Sequence, residues 1–405
     1  MDYQFGASVQ KEAERLLASG KDVNQIAAIL CDKDPRGSNY GVGIVLMGNG
    51  RPMDTSATLL KHVVAEAQAA TSGRYMNSAK LMPAVKEAVL RWQRIPEKHW
   101  DRFHLALPSD AGTGAVQTAI QTALALRPDL IELHVEELGW PAYRAIAASS
   151  RLGFREVAHD SIVTDQRALP IYQSGPMNTT GQVSEPELVK ARAASAGHSK
   201  RLALLDRAYS AFECARLTGR ASYDEIMRMS YERQVAPFLE AGAPVLIALS
   251  PTKAFASFAL RPCGMLLVFC PDQASDDKVA STLNSVIRAR GASFEHPVTR
   301  AFAKAMVTDR AALECDHEKV LERLAEAESL WREHSRGTSI ERFFSDSYAG
   351  LFRNTQTAEG AEARVYERHL YPVFAKGRCR LNVTGIPSDS RLAAEQVSVF
   401  AENCV

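Results

Sequence analysis

The strongest constraint in the sequence is a short apolar segment, residues 244–249, that runs directly into Ser250-Pro-Thr-Lys253. A run of this length without polar alternation is typical of a strand buried on both faces, as in a parallel sheet. Lys253 then lies just past the carboxyl end of the strand, where open α/β sheets bind their ligands. Two interpretations remain open at this point: a solvated lysine, or an amine that loses its proton readily and forms a Schiff base.

The segments around this strand predict an α/β fold. From residue 100 onward, strand-like and helix-like segments alternate, which is typical of a mostly parallel sheet flanked by helices. The ends of the chain lack this alternation, so we expect a large domain at 50–310 and a smaller α+β domain made of 1–49 and 311–405. Residues 7–30 are expected to form a single helix.

Composition excludes several classes of function. The net charge of the 405-residue chain is +1, which argues against nucleic acid as a partner. No stretch has the apolar length of a membrane helix, and the N-terminal residues lack the pattern of a signal peptide. Seven cysteines without a C-x-x-C pair predict thiols in a reducing compartment rather than a disulfide framework or a metal site. We therefore expect a cytoplasmic protein.

Two further strand ends carry polar groups. The turn Ala111-Gly112-Thr113-Gly114 opens a predicted helix, so it is either a phosphate-binding helix N-terminus or a plain tight turn. Asp206 ends the apolar segment 201–205, and a carboxylate there is costly without a partner. It either forms a structural ion pair or holds a cationic ligand atom. Tyr209, about one helical turn later, shares that ligand or only packs.

Other candidates are weaker when taken singly. Trp140 follows the predicted strand 130–135 and either stacks on a flat ring or packs in the core, while the neighbouring Glu136 and Glu137 are expected to be solvated. Asn178 lies in a turn sequence, and Tyr75 is an aromatic residue in a loop. Arg380 enters a short strand and either grips a carboxylate or lies on the surface.

The order and spacing of these segments are more informative than any one of them. Residues 35–390 resemble the aspartate/aromatic aminotransferase branch of the fold-type I pyridoxal-phosphate (PLP) enzymes. That family carries, in this order, a Gly-Thr-Gly-Ala turn, a tryptophan, an Asn-Pro-Thr-Gly turn, an Asp-x-Ala-Tyr segment, a Ser-x-x-Lys with a later arginine, and a late Gly/Arg/Asn strand. Each has a counterpart here, and one is altered to Asn178-Thr-Thr-Gly.

The resemblance implies a role in binding PLP for each matching residue. Lys253 resembles the Schiff-base lysine, Asp206 the partner of the pyridine nitrogen, and Tyr209 a donor to the ring hydroxyl oxygen. The remaining cofactor contacts implied by the resemblance are Asn178 at the same oxygen, Trp140 stacked on the ring, and Gly112, Thr113, Ser250 and Arg261 around the phosphate.

The resemblance also implies a substrate site and a homodimer. Arg380 resembles the clamp for the substrate α-carboxylate, and Gly43 resembles the residue that backs the substrate. Tyr75 resembles the tyrosine that reaches the phosphate of the neighbouring subunit, which implies a homodimer with shared active sites.

The chain also departs from the family pattern. Ala111 replaces the usual serine, Tyr143 stands where a histidine is usual, and the loop after Lys253 lacks its usual glycine. Arg288, or alternatively Arg290, is nearest by spacing to the arginine that binds a distal carboxylate in some members, and a solvated arginine is the competing interpretation for both.

These observations lead to a ranked set of functions. The first is a PLP-dependent aminotransferase that moves the amino group of an amino acid to a 2-oxo acid. The second is a PLP-dependent lyase, oxidase or cyclase acting on an amino acid on the same scaffold, because one carbanion serves all of these reactions. The third is a non-catalytic protein with a degenerate site, which the retention of both Lys253 and Asp206 disfavours.

Overall fold

The structure, a computed structural model, describes residues 4–55, 57–72, 78–272, 276–291 and 295–405. The helices are α1 (Gln4–Ala18), α2 (Val23–Asp32), α3 (Ala57–Ala70), α4 (Met82–Trp92), α5 (Ala111–Leu126), α6 (Ala142–Ser149), α7 (Pro186–Ser199), α8 (Tyr223–Gln234), α9 (Ala236–Glu240), α10 (Pro251–Ala254), α11 (Asp276–Gly291), α12 (Pro297–Thr308), α13 (Arg310–His334), α14 (Ala361–Glu367) and α15 (Ser390–Asn403). None of these helices combines the length and the apolar character needed to cross a membrane.

The strands are β1 (Ser38–Asn39), β2 (Phe103–Ala106), β3 (Glu132–Glu136), β4 (Gly153–Val157), β5 (Ala168–Gln173), β6 (Ala203–Arg207), β7 (Val245–Leu249), β8 (Met265–Phe269), β9 (Phe352–Gln356), β10 (Leu370–Tyr371), β11 (Val373–Ala375) and β12 (Arg378–Asn382). Seven of them form one sheet in the order β2-β8-β7-β6-β5-β3-β4. Only β8 in this sheet pairs antiparallel with its neighbours. The predicted α/β fold with a mostly parallel sheet is confirmed.

The sheet is covered on both faces because its central strands are apolar on both sides. All five residues of β7 are buried, and they alternate between two core clusters. Leu246 belongs to the same core cluster as Ile120 of α5 on one face, whereas Ile247 belongs to the cluster that contains Phe238 of α9 on the other. This alternation is the period-two pattern of a strand in the middle layer of three.

A second group of elements surrounds a separate core. β11, β12 and β9 form a three-stranded antiparallel sheet, and β1 pairs with β10 in parallel. Trp331 of α13 stacks on Phe344 with ring centroids 4.9 Å apart, and both belong to this core. The division into domains 50–310 and 1–49 with 311–405 stays a prediction, because the core on one face of the large sheet also includes Leu46 and Leu321 from outside 50–310.

The N-terminal region differs from the predicted single helix over 7–30. It forms α1 and α2, which are separated by a turn in which Gly20 has a φ of 85°. Asp22 then begins α2, because its side chain accepts hydrogen bonds from Asn24 N and Gln25 N in a capping box. The apolar periodicity continues through this break, which is why it predicted one helix.

Candidate functional site

The pairing of β6 with β7 brings the two principal candidates to the same edge of the sheet. The strands are parallel, with Asp206 opposite Ala248. Ser250 follows β7 and begins the four-residue helix α10, which contains Lys253. The carboxyl ends of parallel strands meet at one edge, so both side chains project there.

Lys253 lies in a half-buried environment with other cations near it. Its Nζ donates a hydrogen bond to the carbonyl of Gly43 and lies 6.0 Å from the centre of the Tyr209 ring. Burial, together with the charges of Arg380 and Arg261, lowers the pKa of the lysine to about 8. Between pH 7 and pH 8 roughly a tenth to a half of this amine is therefore unprotonated and nucleophilic.

Asp206 is a carboxylate without a cationic partner among the described residues. Tyr143 Oη donates to its Oδ2 at 2.5 Å, and the backbone amide of Ala208 donates to Oδ1 at 3.2 Å. Burial raises the pKa of Asp206 to about 6, although both hydrogen bonds act in the opposite direction. Of the two interpretations left open by the sequence, the structural ion pair is wrong. The aromatic residue at the usual histidine position, Tyr143, contacts this carboxylate directly.

Tyr209 and Asn178 form a second polar pair. The Asn178 amide donates to Tyr209 Oη at 2.6 Å, and burial raises the pKa of this phenol well above its usual range. The backbone of Asn178 is held in turn by Gln173, whose Oε1 accepts from Asn178 N at 2.8 Å. Thr179 Oγ1 donates to Gly139 O at 3.1 Å, which joins this turn to the loop that carries Trp140.

The start of α5 has the geometry of an anion-binding helix terminus. Asp110 and Ala111 both have left-handed φ angles, 70° and 55°, and no side chain caps the helix. A Cβ on Gly112 would lie 2.9 Å from Ser250 Cβ, so only glycine lets these two segments approach this closely. Thr113 is exposed beside them, and Arg261, also exposed, is near enough for its charge to lower the pKa of Lys253. The uncapped start of α5 thus lies against Ser250, with the charge of Arg261 nearby.

The loop after Lys253 keeps a glycine-like conformation without glycine. Ala256 has a φ of 42°, in the left-handed region that non-glycine residues rarely adopt. The loop is held by Phe255, whose carbonyl accepts a hydrogen bond from Thr55 and whose ring packs 5.3 Å from Trp92 and 5.9 Å from His317. Aromatic packing on Phe255 therefore restrains a backbone that glycine would adopt freely.

Arg380 approaches the site from β12. Its guanidinium lies 4.3 Å from the centre of the Phe352 ring, and Nη2 donates to Asn24 Oδ1 at 2.5 Å. Its Nε is buried without an acceptor in the described part of the chain. Burial lowers the pKa of this arginine from its ordinary value.

Asn382, two residues after Arg380 in β12, holds the loop around Gly43 by hydrogen bonds. The Asn382 amide donates to Val42 O and to Ile44 O, each at 2.8 Å. Asn382 itself is fully buried. Because these two bonds fix the residues on either side of Gly43, they also set the carbonyl that receives Lys253.

The sequence missed several residues that hold this site. Gln173 and Asn24 carried no local signal, because each acts through a contact that the fold creates. Glu136 was expected to be solvated, and this is wrong. It is buried and accepts hydrogen bonds from Arg192 Nη1 at 3.0 Å and Gln173 N at 3.2 Å. Glu137 is exposed as expected.

Other candidates are placed differently. Trp140 is partly buried and meets Tyr143 edge to face, with centroids 5.2 Å apart. Arg288 lines a cavity of about 680 Å³ whose walls include Ser109 but not Lys253 or Asp206 of the same chain. Arg290 donates to Gly114 O at 2.9 Å and lies 3.6 Å from an oxygen of Asp110. In the described part of one chain, neither Arg288 nor Arg290 shares this cavity or a hydrogen bond with Lys253. Tyr75 lies outside the described residues.

Comparison with known proteins identifies the architecture. The family described as aminotransferase class I and II matches residues 43–334. A search of curated protein sequences finds no match.

Solved structures match over almost the whole chain. The aromatic-amino-acid aminotransferase from Burkholderia pseudomallei, covalently bound to pyridoxal phosphate, superposes with a TM-score of 0.75 at 17% identity, covering 94% of this chain and 97% of that one. The cytoplasmic aspartate aminotransferase from Giardia lamblia gives 0.72 at 17% identity, covering 94% and 96%. The broad specificity aminotransferase from Leishmania mexicana gives 0.69 at 16%, covering 93% and 96%. At these identities the likeness establishes the fold.

The unpaired carboxylate predicts an unusual pH dependence of stability. The pKa of Asp206 is raised to about 6 in the folded protein, above its value in an unfolded chain, so the folded state binds the proton more tightly. The cofactor-free protein should therefore lose stability as pH rises from about 4 to about 6 through this group, by about 3 kcal/mol. Asp206→Asn should raise the thermal midpoint of the cofactor-free protein at pH 7.5 and have little effect near pH 4.

A matched aspartate provides the control with the opposite sign. Lys61 and His62 hydrogen-bond to Asp309 and hold the pKa of its carboxyl below its usual range. Asp309→Asn should therefore lower the midpoint at pH 7.5. Thermal scans of both variants across this pH range measure the difference. A loss of stability in Asp206→Asn at pH 7.5 would contradict the assignment of an uncompensated buried charge.

Proposed function

The chain belongs to the class I and II aminotransferase family, and on that premise we propose that it transfers the amino group of an amino acid to a 2-oxo acid with PLP as cofactor. One observation carries the proposal: at one sheet edge, an amine with a lowered pKa lies near a half-buried carboxylate that has no cationic partner among the described residues. The family of enzymes is shown by the match over residues 43–334, and the roles of individual residues are proposed here.

The residues present fit PLP. The cofactor has an aldehyde that bonds to an amine, a ring nitrogen that is cationic when protonated, and a phosphate dianion, and when bound it supplies an electron sink for the substrate. The free amine of Lys253, the lone carboxylate of Asp206 and the glycine-lined helix terminus at Gly112 match these three groups.

The chain's own residues then have distinct tasks. Lys253 would bind the cofactor and afterwards move the α-proton of the substrate, since its amine is in part unprotonated near neutral pH. Asp206 would hold a proton on the ring nitrogen. Tyr209 and Asn178 would donate to the ring oxygen, and Trp140 would stack on the ring. Gly112, Thr113, Ser250 and Arg261 would hold the phosphate.

On the substrate side, Arg380 would bind the α-carboxylate with Gly43 behind it. The buried Nε of Arg380, which lacks an acceptor in the described chain, supports this role because a bidentate carboxylate would satisfy it. We further propose a cytoplasmic homodimer with shared active sites, in which Tyr75 reaches the phosphate in the neighbouring subunit. Arg288, or Arg290 in its place, would contact the distal end of the substrate, from the neighbouring subunit as well, because neither is grouped with Lys253 of its own chain.

The attachment of the cofactor tests the lysine assignment. Wild-type protein incubated with PLP and reduced with borohydride should retain about one equivalent per chain on Lys253, because the reduction makes the bond permanent. Lys253→Ala should lose this retention and at least about a thousandfold of turnover. Mass spectrometry locates the adduct. Lys190→Ala, at an exposed lysine of α7, serves as the control and should retain both properties. An adduct on another lysine would refute the assignment.

Dependence on an acceptor separates transamination from lyase, oxidase or cyclase chemistry. With an amino acid alone, the cofactor-loaded protein should complete only one half-turnover, because the amino group has no acceptor. Added 2-oxo acid should restore continuous turnover with one new amino acid formed for each one consumed. Chromatography of both products measures this ratio. Sustained consumption without an acceptor would favour the second class of reaction.

Subunit mixing tests the shared active sites. Lys253→Ala and Tyr75→Ala proteins should each be nearly inactive alone. After unfolding and refolding together in equal amounts, about a quarter of the sites should combine an intact Lys253 with an intact Tyr75 from the neighbouring subunit. Activity should therefore recover to about a quarter of the wild-type value. Separate refolding of each variant is the control, and no recovery on mixing would argue against a site completed by Tyr75 of a second chain.

A further inference from the structure

We propose that Asn24, in the first turn of α2, is a positioning residue for the substrate α-carboxylate, which acts by holding the Arg380 guanidinium in place. The inference rests on the proposed function and deepens it. It assigns a part in substrate binding to a helix that lies outside every motif found in the sequence.

The contact joins two distant parts of the chain. Arg380 Nη2 donates to Asn24 Oδ1 at 2.5 Å, across 356 positions of sequence. On the other side, the guanidinium packs 4.3 Å from the centre of the Phe352 ring. An arginine side chain has four rotatable bonds, and these two contacts together restrict it.

The cap of α2 determines which end of the amide faces the arginine. Asp22 Oδ1 accepts from Asn24 N at 2.9 Å and from Asn24 Nδ2 at 3.2 Å. With its nitrogen turned to Asp22, Asn24 presents its oxygen to Arg380. The N-cap that begins the helix therefore also orients the residue that holds the clamp.

A neutral partner suits a guanidinium that must bind a carboxylate. Asn24 occupies part of Nη2 without a charge of its own, the Asp22 carboxylate acts on Arg380 through its charge and raises the arginine's pKa against the effect of burial, and the buried Nε of Arg380 stays without an acceptor among the described residues. A carboxylate at position 24 would instead form an ion pair with Arg380 and compete with the substrate for it. The assignment therefore predicts that the charge of this residue matters more than its size.

The test compares Asn24→Asp and Asn24→Ala with the matched control Gln25→Glu. Gln25→Glu adds the same charge one residue later, and the new carboxylate can still accept from Asp22 N as the glutamine does. An added carboxylate in the first turn favours the helix, so neither charged variant should unfold α2. Cofactor-loaded proteins are titrated with succinate and with 3-phenylpropionate by calorimetry, and KM and kcat are measured with the L-amino acid that wild-type protein consumes fastest.

Asn24→Asp should weaken the binding of both carboxylates by at least about tenfold and raise KM to a similar extent. The value of kcat should change by less than about twofold, because the binding lost through Arg380 is equal in the ground state and the transition state. Asn24→Ala should raise KM by about threefold, and Gln25→Glu by less than about 1.5-fold. The rate of reaction with hydroxylamine, which has no carboxylate, should be the same in all four proteins.

Two results would overturn the inference: equal effects of Asn24→Asp and Gln25→Glu, or tighter carboxylate binding by Asn24→Ala. If the proposed function itself is wrong, a different experimental result is expected. Wild-type protein would then bind PLP and the carboxylates without consuming any amino acid, and the calorimetric comparison of variants would still decide the role of Asn24.

Discussion

The site depends on a carboxylate that is ionised at the cost of protein stability. Asp206 is half-buried in the penultimate position of β6, and its hydrogen bonds from Tyr143 and Ala208 N only partly offset the loss of water. An ionised group with a pKa of about 6 rather than its usual value costs about 3 kcal/mol at neutral pH. A cation placed against Asp206 would recover that free energy. The carboxylate can therefore contribute binding energy to a cationic group such as a protonated ring nitrogen.

The second part of the chain completes what the sheet begins. The sheet edge supplies Asp206 and Lys253, whereas β12 supplies Arg380 and, through Asn382, the conformation of the loop around Gly43. The hydrogen bond from Lys253 to Gly43 O joins the two parts at the reacting amine. A change in their relative position would therefore alter the hydrogen bond of Lys253 and the distance between its amine and the Arg380 guanidinium together.

The spacing of residues along the chain predicted those features that depend on local backbone conformation. The buried strand at 244–249 was clear because both its faces are apolar, and the turn at Gly112 because a close approach requires glycine. Contacts between remote segments left no such pattern. Asn24 meets Arg380 across 356 positions, and the charge on Glu136 is buried because Arg192, far along the chain, folds back onto it. The environment of polar residues of this kind depends on contacts with distant residues, and a single sequence does not reveal those contacts.

The chain departs from the family pattern at Ala256 and at Tyr143, where a different side chain keeps the local conformation or contact. Ala256 takes the left-handed conformation that glycine would supply, at a cost in strain that the packing of Phe255 offsets. Tyr143 takes a histidine position and still donates to Asp206. Burial and the nearby carboxylate raise the pKa of this phenol well above its usual range, so it stays protonated and brings no charge to the ring. A histidine there could become cationic and pair with the carboxylate, whereas Tyr143 stays neutral and leaves Asp206 without a cationic partner in the described chain, as the proposed contact with a protonated ring nitrogen requires.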